Sequence, residues 1–192
     1  EINSELKNKL KIYNIELVNF TIDQVEQQLK VSPSFIITAL REGVPIAGAE
    51  LREELLEKFV NSTALLKELK YCKMQLKHLK KRLRYDLDSE EKRRILHLAF
   101  IRLRQAHAVK KLFNGKEPLQ EDFKKYYKNS NFESLYQLYA KVRTLPWEAE
   151  MEESQIPEEI KKLSKTTLIE LTRAIDSYLS DVYRELRSKT KT

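Results

Sequence analysis

One short run sets an arginine five positions before a histidine: Arg102-Leu103-Arg104-Gln105-Ala106-His107. An imidazole can take or give a proton near neutral pH, and a guanidinium can stabilise charge developing on a phosphate. On a helix the two side chains point about 140° apart at 100° per residue, so a shared site has to overcome that divergence.

A second candidate lies from Lys67 to Arg84. Lys67, Lys70, Lys73, Lys77, Lys80, Lys81, Arg82 and Arg84 stand against one acid, Glu68. Such a stripe can attract phosphate, whether a nucleotide, a nucleic acid or, more generally, an acidic protein partner. The plainer account is a solvated helix face neutralised by a partner helix. No aromatic residue is spaced for base stacking along that face. Asp86-Leu87-Asp88 offers two carboxylates, but it falls between two helical patterns and reads as a turn followed by an N-cap. His78 and His97 have no partners at metal-ligand spacing. Cys72 falls on an apolar seam and reads as a small core residue; as the only cysteine it excludes an intramolecular disulfide.

These residues must be held by helices. Leu65, Leu69, Cys72, Leu76, Leu79 and Leu83 step by four, three, four, three and four, a heptad seam. It predicts one helix from about Ala49 to Tyr85. Asp88 or Ser89 caps the next, which ends at Asn114-Gly115. Pro118 opens a shorter helix, Asn131 caps another through about Thr144, and 145–156 reads as a loop. Pro157 to Leu163 and Thr167 to Leu186 complete the chain, with Leu168, Leu171, Ile175, Leu179, Val182 and Leu186 as a second seam. Tyr136 and Tyr139, with Tyr126 and Tyr127, read as half-buried packing, and Trp147 as a pin for its loop. Ahead of this, residues 14–20 alternate as a strand, Thr21 caps a helix with Ile22, Val25 and Leu29 on one face, and Ser32-Pro33 opens another that Gly43 ends. Val44-Pro45-Ile46 is a short extended piece.

The fold class expected is therefore mostly α: a small α/β piece of about two strands over residues 1–48, then a bundle of four to six helices over 49–192. The composition agrees. The chain has 192 residues, 41% apolar and 34% charged, with three glycines and five prolines, which favours long helices over a turn-rich sheet. No run of about 18 apolar residues predicts a membrane span, and no signal-peptide pattern is visible, so a cytoplasmic protein is the simplest reading.

The segment Ile15-Glu16-Leu17-Val18, a helix, and then Ser32-Pro33 through Leu40-Arg41-Glu42-Gly43-Val44-Pro45-Ile46-Ala47-Gly48 resembles the C-terminal part of a minimal nucleotidyltransferase domain. The helical remainder resembles the HEPN type of domain, the substrate-binding domain of kanamycin-nucleotidyltransferase-like proteins. The residues that carry this are Ala99 through Gly115-Lys116-Glu117-Pro118, Phe132 through Arg143, and the last helix with Tyr178-Leu179-Ser180-Asp181-Val182-Tyr183. The resemblance implies transfer of a nucleotidyl group from a nucleoside triphosphate with Mg²⁺ held by three carboxylates. Glu16 matches the third of these positions, where the family usually has Asp. The Gly-Ser and Asp-x-Asp motifs that supply the others do not precede it, so the 192 residues alone are expected to be inactive. Two alternatives follow. One is a non-catalytic binding scaffold, with an open sheet edge favouring a homodimer. The other is a HEPN-type ribonuclease, because ribonucleases of that type carry an Arg-x(4–6)-His motif that Arg102 and His107 satisfy.

Overall fold

The structure is a computed structural model that describes residues 21–31, 33–42, 49–59, 62–116, 118, 123–124, 132–143 and 153–190. The strands expected at 14–20 and 44–46, Glu16, Tyr126, Tyr127, Asn131 and Trp147 lie outside the described residues. Among those residues the secondary structure is helical and contains no strand.

Local chemistry starts and stops the helices. Thr21 and Gln24 form a reciprocal capping box at α1 (Ile22–Val31), each backbone N–H donating to the other's side chain at 2.9 and 3.2 Å. Helix α2 (Pro33–Glu42) opens on a proline, whose missing N–H leaves no orphan donor there. Then come α3 (Ala49–Phe59) and α4 (Ser62–Arg82), two helices where the seam predicts one. Residues 60 and 61, between these two helices, lie outside the described residues. Helix α5 (Ser89–Phe113) begins under Asp88, whose carboxylate accepts from Glu91 N–H at 2.7 Å. It ends in a Schellman turn: Lys116 N–H reaches the Lys111 carbonyl and Gly115 N–H the Leu112 carbonyl, with Gly115 at φ 67°. Helix α6 (Glu133–Val142), a short 3₁₀ turn (Glu153–Gln155) and α7 (Glu158–Lys161) follow. Ser164 caps α8 (Lys165–Lys189) by accepting from Thr167 N–H at 3.0 Å.

Helices α4, α5 and α8 pack on one another as a three-helix bundle. Both predicted seams are buried in it: Leu69, Cys72 and Leu76 of α4 and Leu168, Leu171 and Leu179 of α8 have no exposed surface. Helix α5 is the central element and also carries α6, α7 and α2 on its other sides. Its apolar residues therefore spread around the helix, with Leu96 and Phe100 beside the small Ala99 and Ala106 that let neighbours approach. Phe100 stacks on Tyr139 at 4.9 Å and meets Tyr136 edge-on at 6.0 Å. Ile22, the first residue of α1, is exposed, while Val25 and Leu29 turn inward as expected.

Two charges are buried among these apolar surfaces. Arg93 of α5 is wholly buried, and its Nε and Nη2 donate to the Glu90 carboxylate at 2.6 Å. Those bonds, with one from Arg94, hold Glu90 below the usual carboxylate range. Glu68 of α4 is also wholly buried. Its carboxylate accepts the Ser34 backbone N–H at 2.9 Å and the Ser34 hydroxyl. Ser34 sits in the first turn of α2, where backbone N–H groups lack partners within the helix. Glu68 thus caps a helix far away in the sequence and ties α2 to the bundle. Removing it in Glu68→Ala strands two buried donors. The expected loss is about 1–3 kcal/mol in denaturant unfolding, with faster amide exchange across 33–42; unchanged exchange there contradicts the tie.

Candidate functional site

The seam decides what α4 shows to solvent. Leu65, Leu69, Cys72, Leu76, Leu79 and Leu83 occupy one side of the helix. At about 100° per residue, Lys67, Lys70, Lys77, Lys81 and Arg84 fall on the opposite side. All five are exposed. The last acid that could have neutralised them locally, Glu68, points inward to Ser34.

Other helices neutralise part of the run. Lys80 pairs with Asp176 of α8 at 2.5 Å, and Arg82 pairs with Glu91 of α5 at 2.8 Å. Lys73 donates to the Ser180 hydroxyl at 3.1 Å and lies 5.9 Å from the Tyr183 ring. The expected neutralisation by a partner helix thus holds for Lys80 and Arg82, while Lys73 is held by neutral groups. Among the described residues, no carboxylate pairs with Lys67, Lys70, Lys77, Lys81 or Arg84. Between α4 and α8 runs an open groove of about 430 Å³, lined by Lys73, Met74, Lys77, Lys80 and Asp176.

The cationic face also carries apolar groups. Tyr71 is 36% exposed, Met74 47% and Tyr85 72%. Tyr85 is in the turn after α4, where its N–H bonds the Arg82 carbonyl at 3.1 Å. Spacing alone places positions 71 and 74 of α4 away from the seam.

Arg102 and His107 turn to different neighbours. The Arg102 guanidinium lies 5.4 Å from the Tyr71 ring of α4 and donates to Gln105 at 2.5 Å. Gln105 also accepts from the Cys72 thiol at 3.4 Å. The His107 Nδ1 lies 3.4 Å from the Tyr178 hydroxyl of α8, and its ring meets Phe123 edge-on at 5.9 Å. Arg102 therefore serves the α4 side of α5 and His107 the α8 side. Asp88 is a cap and Asp86 an exposed turn residue, as their sequence context implies. Among the described residues no group of three His, Cys, Asp or Glu side chains could hold a metal, and no helix is long and apolar enough to cross a membrane.

Burial suppresses the chemistry of two other groups. It pushes the Cys72 thiol up to about 12, helped by nearby Glu68, so the thiol is not a nucleophile at neutral pH. It also lowers His97, with the charges of Arg93 and Arg143, from 6.5 to about 4. His97 packs 5.6 Å from the Tyr139 ring. Compared with protein-family models, with characterised proteins and with solved structures, the chain matches none.

Because the folded pKa of His97 is depressed, the unfolded chain takes up this proton first as the pH falls. Its contribution to stability is full above about 6.5 and declines as the pH drops toward about 4. A ring-proton NMR titration is expected to find the His97 midpoint near 4; a midpoint near 6.5 contradicts the burial argument. Cys72 is expected to resist a disulfide reagent in the native protein and to react fully in denaturant.

Proposed function

We propose that the helical bundle is a binding module that holds an elongated, phosphate-bearing polyanion on the outer face of α4. This agrees with the role that the resemblance to nucleotidyltransferase and HEPN chains implies for such a domain, which is substrate or partner binding. The single observation that carries the reading is the set of five exposed cations with no carboxylate partner among the described residues, on a helix whose other side is buried. Like charges crowded on one helix repel one another by a few tenths of a kcal/mol per pair. A polyanion relieves that repulsion and releases its own counterions.

The length of the stripe favours an extended ligand over a free nucleotide. From Lys67 to Lys81 the helical face runs about 21 Å at 1.5 Å per residue, far longer than a triphosphate. Transfer of a nucleotidyl group, with Mg²⁺, a nucleoside triphosphate and Glu16 as one ligand, would belong to the nucleotidyltransferase-like segment. The bundle would then present the acceptor or partner.

The test is binding of a labelled strand of about twenty nucleotides, followed by fluorescence anisotropy at several salt concentrations. Five neutralised phosphates give a slope of about −3.5 in log K against log salt, at about 0.7 per contact on a single strand. The triple variant Lys70→Glu, Lys77→Glu, Lys81→Glu is expected to keep its helical circular dichroism and to flatten the slope toward about −1.4. Equal binding by parent and variant contradicts the proposal.

A further inference from the structure

We infer that the polyanion is a single-stranded nucleic acid, whose bases stack on Tyr71 and Tyr85 while its phosphates follow the cations between them. The inference rests on the polyanion reading above and adds the class of ligand to it.

Charge alone does not explain what else is on this face. Among the described residues, the exposed large hydrophobics are Ile22, Leu51, Tyr71, Met74 and Tyr85, and the last three share the cationic side of α4 and its following turn. A face built only to be solvated gains nothing from them. A ligand that offers both phosphates and flat apolar surfaces uses both kinds of group. A duplex shows its phosphates outward and keeps its base faces stacked inside; a single strand exposes both. An acidic peptide would pair with the lysines and leave the two rings without a counterpart.

The placement of the rings fits such a strand. Tyr71 lies within α4 and Tyr85 in the turn three residues past its end, fourteen positions apart in the sequence. Lys77 and Lys81 lie between the rings, with Lys70 beside the first and Arg84 beside the second. Met74, one turn from Tyr71, widens the apolar surface with a soft side chain suited to irregular contacts.

Tyr71 is also held in place. The Arg102 guanidinium packs against its ring at 5.4 Å, and Arg102 is itself bonded to Gln105. A ring already fixed by the core loses little freedom when a base lands on it. Arg102 acts here as a positioning residue, through Tyr71.

The experiment compares single-stranded and duplex oligonucleotides of one sequence, with poly-glutamate as the acidic-peptide probe, on the full chain. Tyr71→Ala and Tyr85→Ala are each expected to weaken single-strand binding roughly five- to a hundredfold. The same variants are expected to leave the weaker duplex binding unchanged. Tyr71→Phe and Tyr85→Phe restore the affinity, since the π-face and not the hydroxyl is used. If binding remains salt-dependent but both alanine variants bind single strands like the parent, or if poly-glutamate binds as tightly, the single-strand inference is overturned and the basic-face reading stands. If no oligonucleotide binds at any salt concentration, both fall.

Discussion

The contact on which this molecule depends is the seam of α4 against α5 and α8. Six residues spaced by alternating fours and threes, Leu65 through Leu83, are almost wholly withdrawn from water. A helix that gives so much of one side to a core must show the other side to solvent. In α4 that other side carries lysines and arginines and no acid. The one acid in the run, Glu68, is turned inward, where it supplies the missing partners of the first turn of α2. The same carboxylate therefore fastens the N-terminal helices to the bundle and leaves the outer stripe uncompensated.

The bundle around this seam is stiffened by α5, against which α2, α4, α6, α7 and α8 all pack. Its start is fixed by Asp88 and by the buried Arg93–Glu90 pair, and its end by the Gly115 turn. Breaking a buried pair of that kind is far more damaging than its net contribution suggests, because the survivor is left charged in an apolar setting. From the middle of α5, Arg102 and Gln105 link core to surface. Gln105 takes the thiol of Cys72 in the interior, and Arg102 steadies Tyr71 on the exposed face.

Much of this was legible in the residues. The two seams predicted the buried sides of α4 and α8, and Asp88 and Asn114-Gly115 marked both ends of α5. Those signals are local: periodicity, a capping oxygen, a glycine that accepts positive φ. What escaped was set by tertiary contacts. Nothing near Lys80 announces that Asp176, in the last helix, will neutralise it while Lys77 meets no carboxylate among the described residues. Arg102 and His107 match a spacing, but the packing of α5 between α4 and α8 directs them to Tyr71 and Tyr178. Tyr71 sits next to Cys72 of the seam, yet its helical position turns it off the seam and the ring is exposed.

The most direct measurement labels the methionine methyl groups with ¹³C and titrates the protein with a single-stranded oligonucleotide. The chain has two methionines, Met74 and Met151, and Met74 lies in the middle of the stripe, so the spectrum has a probe on the face. The account predicts that the Met74 signal moves, that the change disappears at high salt, and that amide shifts concentrate from Lys67 to Tyr85. Binding that leaves Met74 still, with shifts centred on Arg102–His107 or on α6 and α7, would contradict it.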